Sequence, residues 1–157
     1  MLWRLPGLIN CGSLMEMNLR IGITAIAALT VAGCTSQAQM DAQPVQRITQ
    51  IDANYQQVYA NLNKGTRNCF AVGGGFSVDG QLYPDLGYGE VTAAGSTGLS
   101  SAPILHAKVV KNGNGASVQA KSLMKANKQG VLNWVDYWAR GGIKCPGVHY
   151  GETPPAA

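Results

Sequence analysis

The sequence predicts an α+β domain, an antiparallel sheet of four to six strands flanked by an N-terminal and a C-terminal helix. Three observations carry this. Apolar residues recur at three- and four-residue steps near residues 44–63 and again in Lys128–Ala139, the spacing of an amphipathic helix. Between them, residues 70–122 are rich in glycine and β-branched residues, with short runs separated by turn signals, the pattern of antiparallel strands. Helices at both ends of such a sheet must bury their stripes against it, which gives two layers.

In the first helix the apolar positions are Val45, Ile48, Ile51, Tyr55, Val58, Tyr59 and Leu62, with Gln, Asn, Asp and Arg between them. Gly65 is placed to end it. Short strands are expected over Cys69–Val72 and Phe76–Val78, around Gly73-Gly74-Gly75. Asp79-Gly80 then reads as a hairpin turn into Gln81–Tyr83. Pro84-Asp85-Leu86-Gly87 is a second turn, and Tyr88–Ala93 and Pro103–Lys111 are the next strands. Asn112-Gly113-Asn114-Gly115 is the strongest hairpin signal, leading into Ala116–Ser122. Alternation places Leu105, Ala107, Val109, Val118 and Ala120 on one face of that hairpin, with His106, Lys108, Ser117, Gln119 and Lys121 on the other. Val131, Trp134, Val135 and Trp138 form the stripe of the last helix, and Gly141-Gly142 stops it. The tail 151–157 reads as loose.

The N-terminus carries a different signal. Ile21–Ala32 is a continuous apolar run of twelve residues, too short to span a bilayer, which takes about 20, but suited to the apolar region of an export signal, about 7–15 residues long. Met17-Asn18-Leu19-Arg20 supplies a basic start, and Val31-Ala32-Gly33-Cys34 closes the run with small residues and a cysteine. This resembles the lipobox of bacterial lipoproteins. The resemblance implies diacylglycerol on the Cys34 thiol, cleavage between Gly33 and Cys34, and acylation of the new N-terminus. Residues 1–16 then read as an upstream extension, 17–33 as the signal, 34–44 as a polar tether and 45–150 as one periplasmic domain. Thr35 rather than Asp after the cysteine implies sorting to the outer membrane.

With the leader and Cys34 set aside, Cys69 and Cys145 remain. An even pair in an exported chain reads as a disulfide, because that compartment is oxidising; it would close a loop of about 77 residues, which constrains the unfolded chain by roughly 4–5 kcal/mol. The alternative, a metal or catalytic thiol, has only His106 and His149 to draw on.

Composition bounds function. From Cys34 onward there are ten Lys and Arg against seven Asp and Glu, far from a nucleic-acid-binding balance. No G-x-S-x-G, H-E-x-x-H, Cys-x-x-Cys or phosphate loop occurs, and no cofactor or metal is expected. Asp79, Asp85 and Glu90 could hold a glycosidase pair, but aspartates in turns are the commoner reason for such residues. Lys108, Lys111, Lys121, Lys125 and Lys128 fall in a stretch with no acid between Glu90 and Asp136. Lys108 and Lys121 share a face there and could form a basic surface for anionic lipid, lipopolysaccharide or an envelope protein; equally, they could be solvated lysines guarding a strand edge. Two functions are therefore expected, a non-enzymatic binding or assembly module or, alternatively, an envelope hydrolase with an unrecognised site. The element order is similar to that of helix-grip and related sheet-plus-helix domains, including the accessory lipoprotein of the outer-membrane barrel-assembly machine. The run Gly80–Val91 (GQLYPDLGYGEV) is similar to small Gram-negative lipoproteins.

Overall fold

The computed structural model describes residues 37–71, 75–96, 101–147 and 151–156. Gly33 and Cys34, and with them the whole export signal, lie outside the described residues, as do His149 and Gly73-Gly74. The element order is α1 (Gln37–Ala42), β1 (Arg47–Ile51), α2 (Tyr55–Phe70), β2 (Phe76–Tyr83), β3 (Tyr88–Ser96), β4 (Ser101–Asn112), β5 (Gly115–Ser122) and α3 (Lys128–Ala139). The five strands form one antiparallel sheet in the order β1-β5-β4-β3-β2. Helices α2 and α3 pack together on one face of it, and this is the α+β fold that the residue pattern predicts.

The core lies between that face and the two helices. Val91 and Ala93 of β3, Leu105, Ala107 and Val109 of β4 and Ala116, Val118 and Ala120 of β5 meet Val58, Leu62 and Phe70 of α2 and Val131, Leu132, Val135 and Trp138 of α3. Small residues at alternate strand positions let the helices sit close. The two helices also sit close to each other at Gly65, where an added Cβ would lie 2.4 Å from Cγ of Trp138. Gly65 therefore lies inside α2, which continues to Phe70, rather than ending it as expected.

Helix α2 starts where Asn54 caps it, its side chain accepting a bond from the Gln56 N–H at 2.9 Å. Helix α3 ends at a left-handed Gly141 (φ 98°), with Gly141 N–H donating to Trp138 O and Gly142 N–H to Tyr137 O. That is the Schellman arrangement, and the positive φ favours glycine there.

Five expectations need correction. Residues 45–51 are extended, not helical. Arg47, Thr49 and Ile51 alternate toward the helices while Ile48 points away and is 61% exposed, so the apparent helical stripe mixed two periodicities. Cys69 and Phe70 belong to the last turn of α2, not to a strand. Asp79-Gly80 is no turn: β2 runs unbroken through it, pairing Asp79 with Thr92 and Gly80 with Val91. Gly80 answers instead to crowding by α2, since a Cβ there would lie 2.6 Å from Asn63 Oδ1. The stretch expected to be a polar tether contains α1, whose Met40 is fully buried, and in the tail expected to be loose Glu152 O accepts a bond from Trp134 Nε1 at 3.0 Å.

The edge strand β1 is fastened to α3 by Asp136, which accepts from Arg47 Nη1 at 2.6 Å and from Thr49 Oγ1 at 2.5 Å. Replacing Asp136 by Ala leaves both donors half-buried without that acceptor. Urea unfolding should show a loss of about 1–3 kcal/mol, with faster amide exchange confined to β1.

Candidate functional site

With the helices on one face, the opposite face of the sheet is built by the other half of each strand. Cross-strand register arranges it in rows. One row runs Gln81, Glu90, Lys108, Gln119, Ile48; the next runs Asp79, Thr92, His106, Lys121. Helix α1 lies against β4 on this side and supplies a wall. Between wall and sheet is a groove of about 340 Å³ lined by Gln37, Asp41 and Val45 from the N-terminal segment and by Glu90, His106, Lys108, Gln119 and Lys121 from the sheet. A second depression of about 210 Å³ shares Gln37, Glu90 and His106 with it and adds Asp79, Gln81 and Thr92.

Lys108 and Lys121 do share this face, but neither stands apart. Lys108 Nζ lies 3.3 Å from Glu90 Oε1 and 4.0 Å from the centre of the Tyr88 ring. Lys121 Nζ donates to the backbone carbonyl of Asp41 at 3.3 Å. Asp41, Asp79 and Glu90 line the same two depressions, so the face mixes both charge signs. Lys111 lies at the far end of β4, beside Asn54, Tyr55 and the 113–115 turn. Lys125 and Lys128 lie on the approach to and first residue of α3. Of the three carboxylates considered for acid–base work, Asp79 and Glu90 share a depression, while Asp85 lies in the turn of residues 84–86. Among the described residues no group of three His, Cys, Asp or Glu is arranged to hold a metal ion.

His106 lines both depressions. Burial lowers its pKa from the ordinary 6.5; the Glu90 and Asp41 carboxylates push the other way, and Lys121 and Lys108 add to the lowering. Folding therefore favours neutral His106, and the unfolded chain binds the extra proton. This contribution to stability is present above about pH 6.5 and is lost as pH falls below it. Chemical unfolding at pH 7.5 and 5.5 should show a larger loss for the wild type than for His106→Gln.

The sequence signals for half of this site were visible and for half were not. Alternation in the 105–122 hairpin identified His106, Lys108, Gln119 and Lys121. The contribution of Gln37 and Asp41 was missed, and its trace is Met40, the one large apolar residue within Thr35–Pro44. The remaining pair, Cys69 and Cys145, is joined on the helical side: the sulfurs are 2.08 Å apart and the Cα atoms 5.2 Å apart. This bond links the end of α2 to the segment after α3, away from the groove. No family model, no curated protein and no solved structure matches this chain.

Proposed function

We propose that this chain is an outer-membrane lipoprotein, exported by residues 17–33, cleaved before Cys34 and held by acyl chains on that cysteine. Its folded domain is a non-enzymatic binding or assembly module facing the periplasm. The observation that carries the binding role is the asymmetry of the sheet. One face is sealed by two helices, while the other presents a groove of mixed charge with half-buried polar side chains. Polar residues alone are what any solvent-facing sheet carries; the wall that the N-terminal segment adds beside Glu90, His106, Lys108, Gln119 and Lys121 is what makes this face a groove.

The anchor and the groove support each other. Two residues, Thr35 and Ser36, separate Cys34 from the start of α1, a span of at most about 10 Å. The grooved face is thus held close to the anchoring leaflet. Its mixed charge favours an envelope protein segment with both charge signs over a purely anionic lipid or lipopolysaccharide surface. Among the described residues no helix is long and apolar enough to cross a membrane.

Two measurements test the reading. Intact mass of the membrane-extracted protein should correspond to a chain starting at Cys34 with acyl groups added, and Cys34→Ser should remove the added mass. A photo-crosslinking residue at Gln119 should capture an envelope component in cells, whereas one at Gln57 on the exposed side of α2 should not. An unacylated wild-type product removes the anchor from the proposal. Equal yields from the two positions remove the groove.

A further inference from the structure

The two edges of the sheet are not alike. β1 has five residues, follows a proline by three positions and carries Arg47, features that discourage edge-to-edge pairing. β2 has eight residues, Phe76-Ser77-Val78-Asp79-Gly80-Gln81-Leu82-Tyr83, without Pro, Lys or Arg. Its register with β3 is unbroken from Phe76–Gly95 to Tyr83–Tyr88, so no bulge twists it away. Among the described residues β3 is its one sheet neighbour.

We propose that β2 is a homodimer edge, pairing antiparallel with β2 of a second copy about a two-fold axis through Gly80. Such an axis, normal to the sheet, keeps helix-side residues opposite helix-side residues. Centred on Gly80, it sets Val78 opposite Leu82 on the inner side and Asp79 opposite Gln81 on the outer side, each twice. Centred one residue earlier it would set Asp79 against itself, an unfavourable like-charge pair. Centred one residue later it would set Leu82 opposite Gly80, which has no side chain to pack. The Gly80 register alone matches apolar with apolar and carboxylate with amide, and the residue on the axis has no side chain to clash with its copy.

The same axis leaves both copies of α1 on one side of a continuous ten-stranded sheet. In this respect the inference rests on the anchor proposed above, because only then must both attachment points face one bilayer. Strand pairing over so few residues is weak in solution, and confinement to a membrane raises the effective concentration that it needs.

The test uses full-length protein carrying Asp79→Cys in one preparation and Gln81→Cys in another, mixed in vesicles and oxidised mildly. Opposed positions can bridge, whereas two copies of residue 79 would be roughly 8 Å apart from strand spacing and rise, beyond disulfide reach. The mixture should therefore give about tenfold more covalent dimer than either variant alone. Energy transfer between labelled copies supplies a second readout on the otherwise wild-type chain. Gln81→Lys, facing Asp79 of the second copy, should tighten association about fivefold, and Gln81→Asp should weaken it about as much. Thermal melts of each variant establish that the fold is intact, and the acyl mass of the same samples separates a failed anchor from a failed edge. No excess covalent dimer in the mixture, or association indifferent to the charge at position 81, overturns the proposal.

Discussion

Replacing Trp138 by Ala should be the most damaging single substitution in the domain, lowering stability by about 3–5 kcal/mol out of a total on the order of 5–15 kcal/mol. Trp138 is fully buried. Its ring meets Phe70 edge-on at 6.1 Å and Trp134 at 6.0 Å, and Nε1 donates to Lys144 O at 2.9 Å. The substitution opens a cavity at the α2–α3 contact and leaves that carbonyl without its donor. Urea unfolding should show the midpoint falling by about 1 M or more, at ordinary slopes of about 1–3 kcal/mol/M. Trp138→Phe keeps most of the packing and loses the hydrogen bond, so it should cost about 1–2 kcal/mol.

The partner of this contact makes the argument sharper. Gly65→Ala in the wild type forces a methyl group into the Trp138 ring and should destabilise, although alanine is the better helix former by about 1 kcal/mol. In the Trp138→Ala background the indole contacts at 2.4 and 2.7 Å are gone but the Cβ of residue 138 remains at 2.6 Å, so the same change should still destabilise, by less than in the wild type. A double-mutant cycle in which the loss shrinks in this way would establish that Gly65 is kept for close approach. Two additive losses would show that it is not.

Gly65 also illustrates why helix boundaries were hard to read. A glycine near the end of an apolar stripe ordinarily marks a stop, and only the third dimension reveals a tryptophan lying against it. Gly80 misled in the same manner: Asp-Gly is good turn chemistry, yet here the glycine clears space for Asn63 and Tyr59 across the sheet. The β4–β5 hairpin was legible because two local signals agreed, the Asn-Gly turn and strict alternation on both sides. Residues 45–62 were misread because they join a strand to a helix with no glycine or proline at the junction. Val45, Ile48 and Ile51 fall at helical spacing by coincidence, and the signal for the change is Asn54, an N-cap that the stripe overshadowed. The groove needed α1, a six-residue helix, and helices so short derive their stability from packing rather than from propensity. No periodicity in six residues could announce it.

Removing the Cys69–Cys145 bond should have the second-largest effect. The two residues are 76 positions apart, and the loop between them contains the whole of β2 to β5 and α3. A cross-link over that span restricts the unfolded chain far more than the folded one, with a loss of about 2–5 kcal/mol on removal typical of small secreted domains. The folded side adds local reasons. Lys144, next to Cys145, takes the Trp138 Nε1 bond on its carbonyl and donates its N–H to Tyr137 Oη at 3.4 Å, so the bond pins the segment that closes the top of the α2–α3 contact. Cys69→Ala with Cys145→Ala should keep the far-UV signal of the helices and sheet, lower the urea midpoint by about 1 M or more, and match the wild type unfolded in reductant. If the loss comes from the unfolded chain, it should be similar for the double Ala variant and the reduced protein, and changes at Lys144 should add to it. If it comes from loosening of the segment after α3, amide exchange should rise there and at Trp138 Nε1, and the Trp138→Ala and cysteine variants together should cost less than the sum of the two. A midpoint that does not move in either comparison would mean that the unfolded chain is already confined by other means, and the bond would then have no part in stability.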